Sequence, residues 1–227
     1  MKNIMWFAGK TNAQFGIILT TLPAIPTPEE RGEAIEIPGR NGDIWDGEGA
    51  YMPITITVPI WVPPTASLTQ VRGWLTGEGP LKFDNGSLYW DARVAGSPAF
   101  TPSNLNDGWT ASIPFLCQPF RGVESNDIVI SSSPYTLQNP YSAYAEPLLA
   151  VECTGDFEID VNGTLATVTG LTGTVMLDTV LQACYQGTNL TNGAMTGAFP
   201  TLVPGENTIR YTGDVTRITL TPRWRTL

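Results

Sequence analysis

The reading of the fold turns on EIPGRNGDIWDGEGAYMPITITVPIWV, residues Glu36 to Val62. Its first half sets Gly39, Gly42, Gly47 and Gly49 among Asp43, Asp46 and Glu48. Its second half alternates: Ile54, Ile56, Val58 and Ile60 fall on one face, and Thr55, Thr57 and Pro59 on the other. A period of two over this length predicts a half-buried strand. Pro53 and Pro59 lack an N–H, which places them at a sheet edge or a bulge.

Three readings of the glycine-rich half compete. A phosphate loop needs Gly-x4-Gly-Lys-Ser/Thr, with a lysine to neutralise phosphate. Gly42 to Gly47 has that spacing but continues as Glu48-Gly49, which repels phosphate. A calcium loop needs six to eight oxygens on a set pattern, and Asp43, Asp46 and Glu48 do not follow the EF-hand spacing. The third reading, a turn whose glycines permit backbone conformations closed to other residues, is the expected one.

Composition narrows the function classes. The 227 residues suit one large or two ordinary domains. Charged residues make up 15%, below the roughly 25% of ordinary globular proteins, which suits a surface covered by neighbours. The net charge of −9 leaves no basic footprint for specific nucleic-acid binding, although it suits a surface that nucleic acid must pass without adhering. With no histidine, a Ser-His-Asp triad, a Cys-His dyad and a histidine zinc site are excluded. Cys117, Cys153 and Cys184 are widely spaced and odd in number, so buried free thiols made in a reducing compartment are expected. The opening residues carry no secretion-signal pattern, and no run nears the ~20 apolar residues of a membrane helix. Asn85, Asn162 and Asn189 begin glycosylation triplets that are read as plain turns.

Along the chain, Phe15–Leu19 starts a strand, Pro23–Pro28 is a loop, Glu29–Gly32 a polar turn and Ala34–Ile37 a short apolar-alternating run; the loop from Asp43 to Gly49 then enters the alternating strand. Leu68, Val71, Trp74 and Leu75 share a helical face, with Thr65 or Ser67 as cap and Gly77 as terminator. Leu81–Phe83 and Leu88–Val94 read as a hairpin around Asn85-Gly86, and Thr110–Cys117 as a further strand. Residues 122–146 read as a joint, with a boundary near Pro134. The remainder reads as six or seven short strands, with turns at Thr154-Gly155, Asn162-Gly163, Gly170 and Gly213-Asp214; these suggest a small antiparallel sandwich. The expected fold is therefore mainly β, with an N-terminal β-sandwich and flanking helix over residues 1–134 and a second β-sandwich over 135–227.

Several landmarks in this order resemble the distal tail protein (Dit) family of long, flexible-tailed bacteriophages (siphophages). They are Phe15-Gly-Ile-Ile with Glu30-Arg31, Ile37-Pro-Gly-Arg-Asn-Gly42, Gly49-Ala-Tyr51, Trp74-Leu75 with Gly79-Pro-Leu81, and Phe115-Leu-Cys-Gln-Pro-Phe120. In the second half they are Asp178, Ala183-Cys-Tyr185, Phe199-Pro200, Pro204-Gly-Glu-Asn207 and Gly213. The resemblance implies a ring-forming N-terminal β-sandwich and a galectin-like, jelly-roll C-terminal one. It further implies a homohexamer at the distal end of the tail in the virion, assembled in the host bacterial cytoplasm. That ring joins the tail tube protein to tail fibre, tail-associated lysin or baseplate proteins and leaves a channel for DNA. The chain lacks the long second-domain insertion that carries a sugar-binding module in some relatives.

The expectation is a structural protein with no catalytic residue, cofactor, metal or membrane partner. The candidate subunit interface is Arg40, Asn41, Asp43, Trp45, Asp46 and Tyr51. A lectin-like module for host attachment is the alternative. A glycosidase built on Asp84 with Asp91, or on Asp156, Glu158 and Asp160, ranks behind both, because strand alternation gives the latter three a plain solvated face. Among the aromatics Trp45, Tyr51, Trp61, Trp74, Tyr89, Trp90 and Trp109, most are expected in the core, with ring packing as the second role and sugar stacking the third.

Overall fold

The computed structural model describes residues 3–103 and 107–227. It is mainly β and divides into two compact units, Met1–Arg121 with Leu227, and Gly122–Thr226. The division lies N-terminal to Pro134. Residues expected to form a joint are strands instead: Ile128–Ile130 and Tyr135–Asn139 both pair with the long strand Gly205–Thr221. Their apolar residues are too few to show a period, but Ile130 and Leu137 are buried.

Unit 1 contains, in chain order, β1 (Trp6–Phe7), β2 (Lys10–Thr11), β3 (Ile18–Leu19), β4 (Glu30–Ile35), β5 (Ile44–Tyr51) and β6 (Ile54–Val62). There follow α1 (Leu68–Trp74), β7 (Glu78–Lys82), β8 (Leu88–Val94), β9 (Thr101–Pro102) and β10 (Trp109–Val123). The main sheet runs β2-β1-β7-β8-β10-β6-β3, while β4 and β5 form a separate two-stranded sheet.

The alternation of β6 is realised as expected: Ile54, Ile56, Val58, Ile60 and Val62 are buried and Thr55 and Thr57 exposed. β10 pairs with β6 from Trp109↔Val62 to Cys117↔Ile54, adding Ala111, Ile113 and Phe115 to the same buried face. On its other side β6 meets β3 only at Trp61 and Ile60, with the Thr20 N–H donating to the Pro59 carbonyl (3.1 Å). Pro59 thus sits at a partly open edge, where a missing donor costs no ladder bond.

The helix closes this core. The Ser67 hydroxyl accepts from the Gln70 N–H, and Gly77 follows with φ +85°. Trp74 stacks on Phe15 at 4.6 Å, and its indole N–H donates to the Phe7 carbonyl at 3.0 Å. Phe7 in turn meets Phe115 edge-on at 4.9 Å. The β7–β8 hairpin forms as read, its loop braced by Asp84 Oδ1 accepting from the Gly86 N–H.

Unit 2 contains β11 (Ile128–Ile130), β12 (Tyr135–Asn139), β13 (Leu148–Val161), β14 (Thr164–Val168), β15 (Thr172–Asp178) and β16 (Ala183–Gln186). It continues with β17 (Asn189–Leu190), β18 (Met195–Gly197), β19 (Gly205–Thr221) and β20 (Arg225–Thr226). The expected turns at Thr154-Gly155 and Gly213-Asp214 are not chain reversals. They face each other inside the β13–β19 ladder, where the register slips between Cys153 and Phe157. Gly213 has φ +89°, and a Cβ there would lie 2.3 Å from the Asp156 carbonyl oxygen, so the glycine permits strand crossing rather than a turn. Asn162-Gly163 is a true two-residue hairpin turn, with φ +53° and +87°. Buried Asn207 ties that turn to the next loop: its Oδ1 accepts from Asn162 Nδ2 and the Val203 N–H, each at 2.8 Å.

Buried Asp178 organises the turn after β15. Its Oδ1 accepts from the N–H groups of Val180 (3.0 Å) and Leu181 (3.1 Å), and both oxygens pair with Arg223 at 2.7 and 2.9 Å. Those Arg223 hydrogen bonds hold the Asp178 carboxyl below the usual aspartate range. A folded-state pKa below the unfolded one contributes stability that is complete above the unfolded value of about 3.9 and is lost as pH falls through the folded value. Asp178→Asn is expected to lower stability by about 3 kcal/mol in urea melts, evenly from about pH 5 to 8, with the difference shrinking below about pH 4.

All three cysteines are free and buried. Burial pushes the Cys117 thiol up to about 12. Native protein at pH 8 is therefore expected to resist iodoacetamide at Cys117 and to label there only on unfolding, as peptide mass spectrometry reads directly.

Candidate functional site, an exposed two-stranded arm

The glycine-rich stretch forms half of a hairpin. β4, expected as a polar turn at Glu30–Gly32 and as an alternating run from Ala34, pairs with β5, expected as a loop, through Gly32↔Gly47, Glu33↔Asp46, Ala34↔Trp45 and Ile35↔Ile44. The Met52 N–H donates to the Glu29 carbonyl (2.8 Å) at the base. The register slips between Glu30 and Gly32, opposite Gly49 at φ +67°. Ile37-Pro-Gly-Arg-Asn-Gly42 forms the tip; Gly39 and Gly42 have positive φ, and the Arg40 N–H donates to the Ile37 carbonyl (3.1 Å).

The central glycines serve the arm's own tryptophan. A Cβ at Gly32 would lie 2.7 Å from the Trp45 ring and from the Asp46 carbonyl oxygen. At Gly47 it would lie 3.1 Å from the Trp45 indole nitrogen and 2.6 Å from a Glu30 carboxylate oxygen. Trp45 therefore lies across a floor of two facing glycines, backbone covered by an aromatic ring in place of side chains.

Every residue from 31 to 50 is exposed, including Ile35, Ile37, Ile44 and the half-exposed Trp45. The preceding segment adds Ile18, Leu22 and Ile25, and Met52 follows, so exposed large apolar side chains concentrate between residues 18 and 52. A two-stranded hairpin with no sheet beneath it is marginal in water, and contiguous exposed apolar surface marks an interaction site. The six candidate interface residues share this hairpin. Arg40, Asn41 and Asp43 lie in the tip loop and Trp45 and Asp46 on β5; Tyr51 lies at the base, edge-on to Phe120 at 5.6 Å. The first strand joins Glu30–Gly32, expected as a polar turn, to the start of the alternating run expected over Ala34–Ile37.

The other candidate chemistry resolves into structure. Asp156 and Asp160 accept from the backbone N–H groups of Gly170 (2.7 Å) and Gly163 (2.6 Å), and Glu158 from the Thr212 hydroxyl (3.5 Å). Asp84 braces its own loop, whereas Asp91 lies with Glu78, Arg93, Leu116 and Gln118 around a pocket of about 330 Å³, where burial pushes its carboxyl up. Of the aromatics expected in the core, Trp74 and Trp90 are buried; Tyr51, Trp61, Tyr89 and Trp109 are half-buried because they stand on outward sheet positions or at strand ends. Among the described residues no helix is long and apolar enough to cross a membrane.

Gly32→Ala is expected to disrupt the arm alone, because the obstructing Asp46 carbonyl belongs to the backbone. Hydrogen exchange of β4 and β5 amides should rise at least about tenfold while the global melt moves by less than about 1 kcal/mol.

No protein-family model matches the sequence, and no curated protein matches it. Solved structures resemble the fold, among them two phage proteins. The SPP1 Dit protein, described as a paradigm of the hub adsorption apparatus in phages infecting Gram-positive bacteria, aligns with a TM-score of 0.77 at 12% identity over 100% of both chains. A chain of the phage p2 baseplate in its activated conformation aligns with a TM-score of 0.51 at 7% identity over 97% of both. From end to end, the chain has the fold of the SPP1 Dit hub protein.

Proposed function

We propose that this chain is a structural hub protein of a long-tailed bacteriophage, carried at the distal end of the tail. The observation that carries the reading is the full-length fold likeness to SPP1 Dit. The exposed arm supports it independently, since among the described residues nothing covers this extended surface of unit 1.

The mechanism is geometric. A heterologous contact, in which one surface of a copy meets a different surface of the next, closes into a ring when the rotation between copies divides a full turn. Residues Arg40, Asn41, Asp43, Trp45, Asp46 and Tyr51 belong to that contact. Six copies is the number implied by the resemblance to distal tail proteins. Such a ring joins the tail tube to baseplate, fibre or tail-associated lysin proteins and leaves a lumen for DNA, which an acidic protein does not bind. Assembly in the host cytoplasm accords with three reduced, buried thiols. The role requires no cofactor or catalysis. The lectin-like alternative is not favoured, since the solved structures named above are a hub protein and a baseplate chain.

Light scattering with negative-stain imaging tests the reading. Closed rings with a mass near six times 24.5 kDa are expected, and a strict monomer at every concentration counts against it. Replacing residues 31–50 with a short Gly-Ser turn should abolish rings while changing monomer stability by less than about 1 kcal/mol, because the removed residues bury nothing.

A further inference from the structure

Four asparagines of the chain precede a glycine: Asn41, Asn85, Asn162 and Asn192. Such a pair is open to a spontaneous reaction in which the glycine nitrogen attacks the asparagine side-chain carbon Cγ. A following residue without a Cβ leaves that approach unhindered. The attack needs an amide side chain that can turn toward its own backbone, a glycine N–H not held elsewhere, and a main chain free to rotate between them.

The fold withholds these freedoms from three of the four. Asn85 Oδ1 accepts from the Trp6 indole N–H (3.4 Å), and the Gly86 N–H is taken by Asp84 Oδ1 (2.8 Å). Asn162 is held on both sides: its Nδ2 donates to Asn207 Oδ1 and its Oδ1 accepts from the Thr208 N–H, each at 2.8 Å. The Gly163 N–H donates to Asp160 Oδ1 at 2.6 Å. Asn192 opens a 3-10 turn, its Oδ1 accepting from the Cys184 N–H (2.6 Å) and its Nδ2 donating to the Gln182 carbonyl (3.4 Å).

Asn41 stands apart. It lies in the exposed tip, beyond Ile35↔Ile44, the last rung of the arm. Among the described residues, nothing is hydrogen-bonded to its side chain or to the Gly42 N–H. A Cβ built on Gly42 would meet no atom beyond its chain neighbours within 4 Å, so the space around the reacting atoms is open.

We propose that Asn41 is a site of covalent self-modification, the one Asn-Gly pair of the four that deamidates readily in the folded chain. The Gly42 nitrogen bonds to Asn41 Cγ, the Cγ–Nδ2 bond breaks, and the Gly42 proton leaves with that nitrogen as ammonia. Water then opens the five-membered succinimide. Opening at Cγ gives aspartate; opening at the Asn41 main-chain carbonyl gives isoaspartate, whose backbone is longer by one methylene. Residues 29–51 hold seven carboxylates against Arg31 and Arg40, and either product adds an eighth. The reaction needs no second copy and so stands apart from the ring reading.

The test is incubation of the full chain at about pH 8, followed by peptide mass spectrometry, which reads a gain of about 1 Da per event. Asn41 should convert at least about tenfold faster than Asn85, Asn162 or Asn192, because each hydrogen bond that must open first slows the attack. In about 8 M urea the four should convert within about threefold of one another. Asp84→Ala, in an exposed loop, frees the Gly86 N–H and should raise conversion at Asn85 at least about threefold while Asn41 is unchanged. Asn41→Gln should remove the fast acidic species seen by ion exchange without moving the melt. Conversion at Asn41 no faster than at Asn162 overturns the inference, whatever the state of assembly. A lead for Asn41 that persists undiminished in urea also overturns it, since the order would then belong to the sequence and not to the fold.

Discussion

The β6–β10 ladder governs unit 1. Its register brings Ile54, Ile56, Val58 and Ile60 alongside Ala111, Ile113, Phe115 and Cys117 on one face, and that face is where Phe7, Trp74 and the helix come to rest. Burying these side chains is what makes the ladder rigid, since each fully buried aliphatic or aromatic side chain contributes about 1.5–3 kcal/mol. β5 runs into β6 with only Met52 and Pro53 between them, and the return strand is clamped by the Glu29–Met52 hydrogen bond. The arm is thus an exposed element rooted in the best-packed strand of its unit.

Much of this was legible in the sequence because the relevant physics is local. Alternation in β6, the Ser67 cap, the Leu68–Trp74 helical face and the Asn162-Gly163 turn depend on near neighbours, and each formed as read. The arm was half legible. Gly32-Glu33-Ala34-Ile35 is mirrored by Ile44-Trp45-Asp46-Gly47 about the Pro-Gly tip, glycine against glycine, acid against acid and isoleucine against isoleucine. That mirror symmetry was the available signal, and it was hidden because exposed strands lack the apolar-polar contrast on which periodicity depends. Gly155 and Gly213 misled for the opposite reason: their freedom was spent on a long-range crossing between strands that local sequence cannot report.

The two units use charge differently. In unit 2, Glu152–Arg217, Asp160–Arg210 and Asp178–Arg223 are internal pairs that tie strands and a turn to one another. In unit 1 Glu33 and Asp46 of the arm stand opposite each other, and Lys10 and Lys82 lie beside aromatic rings.

The indole lying on two glycines has a consequence for how this arm can change over time. Neither glycine has a positive φ; Gly32 is required by the Trp45 ring and the Asp46 carbonyl, and Gly47 by the Glu30 carboxylate and the Trp45 ring. If the tryptophan is lost, position 47 keeps only the flexible end of Glu30 against it and can be filled, whereas position 32 stays closed by the Asp46 carbonyl. If either glycine is replaced first, the ring is dislodged. Positions 45 and 47 are therefore expected to change together among descendants of this chain, while position 32 stays glycine for as long as the two strands keep this spacing.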